Sequence, residues 1–143
     1  MSNKNKSRSS FNFRGFLYII TPVFAILIYM AAFAQQARWA APKEAGNVKN
    51  PFAGKGSVTA AKTLYVSNCG PCHGEKGKGN GPAAPGLNPK PADHTSTAVQ
   101  SETDGSLFWK ITNGRNPMPS YKKVFNDQQR WELINFIRTL AKH

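Results

Sequence analysis

Cys69-Gly70-Pro71-Cys72-His73 restricts this chain more than any other stretch of its 143 residues. Positions three and four apart lie on one face of a helical turn, so Cys69, Cys72 and His73 converge on one side of the backbone. Two thiols beside an imidazole suit a porphyrin, because the thiols add across its two vinyl groups as thioethers while the imidazole reaches the iron. Cys-x-x-Cys-His is therefore read as c-type haem attachment, with one haem c anchored through Cys69 and Cys72 and with His73 on the metal.

Three other chemistries use parts of the motif. Cys-Gly-Pro-Cys is also the dithiol of thioredoxin-like oxidoreductases, which need it after a buried strand in a βαβ pattern. Here residues 59–68 read as a short helix, and the chain before them is rich in Gly, Pro and Lys. A structural zinc site usually wants a second ligand pair, and the sequence holds no other cysteine. A disulfide between cysteines three apart would leave His73 without a role.

A chain of this length is one domain with attachments. Its folded part, about 90 residues, buries a small core alone, and a central haem would supply the missing apolar surface. Lys and Arg number nineteen against seven Asp and Glu. Lys4, Lys6, Arg8 and Arg14 precede the first apolar run, and the other fifteen face all seven acids for a balance of +8. No basic helix with interleaved aromatics is visible, which argues against nucleic acid. The excess reads as a solvated surface or as steering toward an acidic redox partner.

Residues 15–37 carry no charge, and residues 16–34 form a predominantly apolar run of nineteen, just long enough to span a bilayer. Ala32-Phe33-Ala34 ahead of Gln35 also fits an A-x-A cleavage site. Residues 1–34 are thus a transmembrane anchor or a cleaved signal peptide, and both readings stay open. In either case the Lys/Arg bias keeps the N-terminus inside and exports the remainder of the chain, to the periplasmic side of the cytoplasmic membrane. Residues 35–56 mix Ala, Pro, Gly and Lys without apolar periodicity and read as a flexible tether. Residues 57–143 remain for the domain.

Within the domain, Ser57 caps a helix from near Val58, with Val58, Ala61, Leu64 and Tyr65 at helical spacing. Residues 74–82 are too rich in glycine for a regular element. A phosphate cradle would open a helix, so the run reads instead as a loop beside the porphyrin. An axial imidazole needs a partner for its Nδ1 proton, and the carbonyls of Pro82 and Pro85 are the expected acceptors. A further helix begins at Thr103 or Asp104, turns Leu107, Phe108 and Ile111 inward and stops at Asn113-Gly114. The last helix starts near Asp127, with Leu133, Phe136, Ile137 and Leu140 on its apolar face and Trp131 and Ile134 toward the edges.

What closes the iron face opposite His73 decides between electron transfer and ligand chemistry. Met1 and Met30 lie in the export segment, and His143 ends the chain at a terminus expected to fray. His94, in a Pro-rich loop, reads as solvated, with iron ligation as its rival role. Met118 is held in an extended loop by Pro117 and Pro119. That is an odd place for a packing methionine and a good one for a thioether ligand, which raises the potential of the couple.

Leu64-Tyr65, Cys69 to Gly74, Gly77 to Pro82, Leu107-Phe108, Thr112 to Arg115, Pro117 to Tyr121 and the closing residues 131–140 together resemble the class I c-type cytochromes. The likeness spans residues 57–142 and is to the small, single-haem, exported bacterial kind. It implies an all-α fold around one covalently attached haem, with first and last helices crossing near a haem edge. It also implies His73 and Met118 as axial ligands, and Cys69 and Cys72 as thioether anchors. One departure is Ala61, where relatives often place glycine at the crossing. The implied protein is an electron carrier and not an enzyme, moving one electron at a time between respiratory-chain partners. Its alternatives are an accessory haem subunit of a larger oxidase, reductase or dehydrogenase complex and, in another class, an open-site haem enzyme or gas sensor.

Whichever way residues 1–34 are processed, the holoprotein is expected outside the cytoplasmic membrane. Intact-mass measurement distinguishes a mature chain starting at Gln35 from an uncleaved one, and holoprotein confined to the cytoplasmic fraction contradicts both.

Overall fold

The computed structural model describes residues 39–141. The chain divides into two compact units, residues 1–39 and 40–143. Apart from Trp39 the first unit, and with it the expected anchor or signal peptide, lies outside the described residues. Among the described residues no helix is long and apolar enough to cross a membrane.

The described part of the second unit is helical, as expected, in the order α1 (Lys43–Gly46), α2 (Val58–Asn68), α3 (Gly70–His73), α4 (Thr97–Gln100), α5 (Asp104–Asn113) and α6 (Asp127–Thr139), with a 3-10 turn at Ala84–Gly86 between α3 and α4. The β structure among the described residues is one isolated bridge, Arg115 with Met118. Each longer helix starts where a short polar side chain accepts an otherwise unpaired backbone N–H. Ser57 accepts from Ala60, Thr103 from Ser106 and Asn126 from Gln129. The Gln129 side chain returns the bond to the Asn126 N–H, completing a capping box.

The core is the crossing of α2 with α6, joined by α5. Tyr65 and Ile134 are 0% exposed, and Ala61 and Leu133 1%. The methyl of Ala61 is therefore accommodated at the crossing. Full burial of a side chain such as Leu133 or Ile134 contributes about 1.5–3 kcal/mol. The buried stripe of α6 is broader than periodicity implied, because Trp131 and Ile134 are interior and not at its edges. Phe108 stacks on Trp131 at 4.0 Å, and the Arg130 guanidinium lies 4.7 Å from the Phe108 centroid while donating to Thr112 Oγ1 and Asp127.

The expected tether departs from the sequence reading. Its part from Pro42 to Lys55 is a strap bound to the domain: Asn50 Nδ2 donates to Asp104 Oδ2 at 3.1 Å and to Asn135 Oδ1 at 2.9 Å, while Asn135 Nδ2 donates to the carbonyls of Phe52 and Lys55. Phe52 packs against the core. Polar side chains and backbone carbonyls, which have no hydrophobic period, hold this segment down. Gly105 of α5 is what lets it approach, since a Cβ there would overlap the carbonyl oxygens of Ala45 and Val48.

Gly105→Ala sets two effects against each other. Helix propensity favours alanine by at most about 1 kcal/mol, whereas overpacking against a backbone costs about 1–3 kcal/mol. The overlap should win, lowering Tm by several degrees at roughly 4–8 °C per kcal/mol. Trypsin should also cut faster after Lys49 and Lys55. A variant with raised Tm and an uncut strap would contradict this packing.

Candidate haem site

Cys69 is the hinge of the site. Its N–H donates to the Tyr65 carbonyl at 2.8 Å, closing α2, and its own carbonyl accepts from the His73 N–H at 2.8 Å, opening α3. Pro71 sits in the first turn of α3, where its missing N–H costs nothing. The spacing of the motif thus becomes one short turn carrying Cys69, Cys72 and His73, both cysteines being free thiols.

The glycine-rich run folds back on that turn. Gly79 N–H donates to His73 O at 2.8 Å, Gly81 N–H to Cys72 O at 3.1 Å and Ala83 N–H to Pro71 O at 2.9 Å. These amides are spent on the motif's own carbonyls, so they do not form a phosphate cradle. Gly81 is required by proximity, because a Cβ there would overlap the carbonyls of Gly70 and Pro71.

The Nδ1 proton of His73 goes to the carbonyl of Ala92 at 2.9 Å, which corrects the expectation of Pro82 or Pro85. The Pro85 carbonyl instead accepts from Lys90 Nζ at 2.6 Å. The physical reason is the path of the loop: the 3-10 turn and Lys90 bind its early carbonyls to one another, and its later, extended part runs past His73. A backbone carbonyl can only accept, so Nδ1 carries the proton and Nε2 keeps its lone pair for a metal.

His94 is not solvated. Its ring stacks on His73, with centroids 4.1 Å apart and planes at 20°, its Nδ1 is hydrogen-bonded to the Tyr65 hydroxyl at 2.8 Å, and its N–H donates to Gly77 O at 2.6 Å. Burial first, then the adjacent His73, pushes its pKa down to about 3. Two rings lying face to face cannot bind one ion from opposite sides, so this placement disfavours His94 as the partner of His73 on iron.

Met118 is half-buried and packs against the same core cluster as Cys69. Reciprocal bonds fix its backbone, Met118 N–H to Arg115 O at 2.8 Å and Arg115 N–H to Met118 O at 3.0 Å. Just beyond it, the Tyr121 hydroxyl donates to Asn68 O at 2.9 Å, tying the methionine loop to the end of α2. Burial, then Cys69 and Cys72, pushes the Tyr121 phenol up to about 12.

These residues fit a covalently bound haem: two free thiols and an oriented imidazole share one turn, and a methionine is fixed on the same core. They do not fit the dithiol. Burial first, then Cys72, pushes the Cys69 thiol up to about 12, whereas a redox dithiol needs a depressed pKa. Sequence reasoning missed Ala92, whose side chain takes no part, and the roles of Tyr65 and Tyr121, which stood in the motif pattern only as residue types.

The family model that matches this chain is described as cytochrome c oxidase, cbb3-type, subunit III, and it covers residues 56–137. Among solved structures, a chain of the Kuenenia stuttgartiensis reducing HAO-like protein complex is similar, with a TM-score of 0.56 and 27% identity over 76% of this chain. The match covers 54% of that chain, so this one spans about half its length. No curated protein matches. Since the residues matched by the family run from Gly56 to Ile137 and enclose both the cysteine motif and the methionine loop, the chain belongs to the cbb3-type cytochrome c oxidase subunit III family and is a class I c-type cytochrome.

Proposed function

We propose that this cytochrome carries one electron at a time between respiratory-chain partners on the periplasmic side of the cytoplasmic membrane, with His73 and Met118 as the axial ligands of one haem c. The observation that supports the reading best is that Met118, in a loop fixed by its own bridge, packs on the same core as Cys69, while His73 in the cysteine turn is tied through Nδ1 to Ala92. Bound through Cys69 and Cys72, haem c supplies an iron centre that takes up and returns one electron. The chain's own residues do the rest. Ala92 holds the proton of His73 at Nδ1, Met118 offers a thioether that favours the reduced state, and the fixed turn and loop limit rearrangement between states.

A second reading, an accessory haem subunit, is favoured by the comparisons. The family is named for an oxidase subunit, and the similar solved chain belongs to a multi-protein complex. Recovery in fixed ratio with other subunits would favour it over a mobile carrier.

Met118→Ala should open the reduced holoprotein to carbon monoxide, while Met118→His should keep it closed and lower the potential by a sizeable fraction of the roughly 0.8 V that axial ligands span. A Met118→Ala variant that refuses carbon monoxide would remove Met118 from the iron. For partners, Lys76, Lys78, Lys90, Lys122 and Lys123 are all exposed, Lys90 with its Nζ on the Ala84 and Pro85 carbonyls. Electron-transfer rates with an acidic partner should fall as salt screens exposed charges over about 8 Å at physiological strength. Rates indifferent to salt would leave these lysines as plain surface.

A further inference from the structure

The Cβ tether, the hydrogen bond from Nδ1 to the Ala92 carbonyl and a metal bond at Nε2 restrain the plane of the His73 ring. Each restraint is soft, since the torsion about Cβ–Cγ is broad and a hydrogen bond accepts a wide range of angles, and the angle that remains decides how the imidazole π orbital overlaps the metal orbitals. A flat group against the ring face would set the angle.

His94 is such a group. It lies 4.1 Å from His73 at 20°, and it is itself held at three places. Its ring is bonded to the hydroxyl of Tyr65, which is 0% exposed. Its N–H donates to Gly77 O at 2.6 Å. Its carbonyl accepts at 2.6 Å from Gln100 Nε2, which also donates to Ile137 O of α6 at 2.9 Å. The Tyr65 ring is packed in turn on Phe136, with centroids 5.0 Å apart. The platform is thus braced on α2 and α6, the two helices of the core.

We propose that His94 is a positioning residue that sets the plane angle of the His73 imidazole, held for this by Tyr65 and Gln100. The inference rests on His73 being an iron ligand, as proposed above. It makes no use of His94 as a ligand or as a titrating group.

The test compares three variants of the holoprotein. His94→Leu fills the space without a flat face, His94→Phe keeps a flat face without the Tyr65 bond, and Tyr65→Phe removes only the hydroxyl that holds the His94 ring. The readouts are the EPR g anisotropy of the ferric state and the spread of the haem methyl shifts in NMR, both set by the axial ring plane. His94→Leu should change both most, while His94→Phe and Tyr65→Phe, which each keep a flat face but lose the bond between residues 65 and 94, should fall between wild type and His94→Leu. Wild-type signatures in both His94→Leu and Tyr65→Phe overturn the proposal while leaving the axial ligands in place. The same altered pattern in His94→Phe and His94→Leu also overturns it, since flatness would then not matter. Carbon monoxide binding by reduced His94→Leu overturns it together with the Met118 assignment.

Discussion

The hydrogen bond from His73 Nδ1 to the carbonyl of Ala92 is the contact on which the site depends. Without it the imidazole could present either nitrogen, and the loop of residues 85–94 would meet the cysteine turn only through His94, by its stack on His73 and its bond to Gly77. With it, a backbone atom chooses the tautomer. The bond reaches across nineteen residues, and the chain between is rigid enough to support it, since the glycine loop caps the carbonyls of Pro71, Cys72 and His73 and Lys90 ties those of Ala84 and Pro85. Burial lowers the His73 pKa, and the bond to Ala92 opposes that shift only in part. The neutral form, the one able to bind a metal, is the form the fold favours.

The other face of the His73 ring is braced from the end of α6. Arg138 donates through Nε to Asp104 at 2.9 Å and through Nη1 to the Gln100 carbonyl at 2.9 Å, joining α6 to the start of α5 and the end of α4. Hydrogen bonds to charged groups contribute about 1.5–3 kcal/mol each when well formed. Both ionic side chains here are partly open to water, which places them toward the lower end. Gln100 extends the same junction to His94. Core packing therefore reaches His73 through two routes, the Tyr65 hydroxyl and the Gln100 amide, both of which act on it through His94.

Much of this was legible in the sequence, for identifiable reasons. Ser57 and Thr103 announce helix starts because capping is local chemistry, and those helices begin where the residues say; the last helix begins at Asp127, as its apolar period implied, with Asn126 as its cap. The Cys69 to His73 turn was legible because its spacing is a helical spacing. Ala92 was not, because a carbonyl acceptor is the same atom in every residue and only the path of the loop selects it. His94 was misread as solvated because a polar ring among prolines usually faces water. What buries it is Tyr65, twenty-nine residues away, and no local pattern carries that pairing. The strap escaped for a related reason: Asn50 and Asn135 hold it with side-chain amides, which leave no period.

The thiols show why one motif can serve two chemistries and serves only one here. A Cys-x-x-Cys dithiol works when a helix N-terminus and an open, electropositive setting draw a thiol pKa down toward neutrality. In this chain α3 has only four residues, Gly70 to His73, so it adds little dipole. Cys69 lies instead against the hydrophobic core. A thiolate there would be desolvated and would face a second sulfur, and both effects raise the pKa. The same burial is favourable once the sulfur is a thioether, which carries no charge and gains by leaving water. A setting hostile to one product and hospitable to the other is what separates a haem anchor from a redox pair, and it depends on the α2 and α6 crossing as much as on the five residues of the motif.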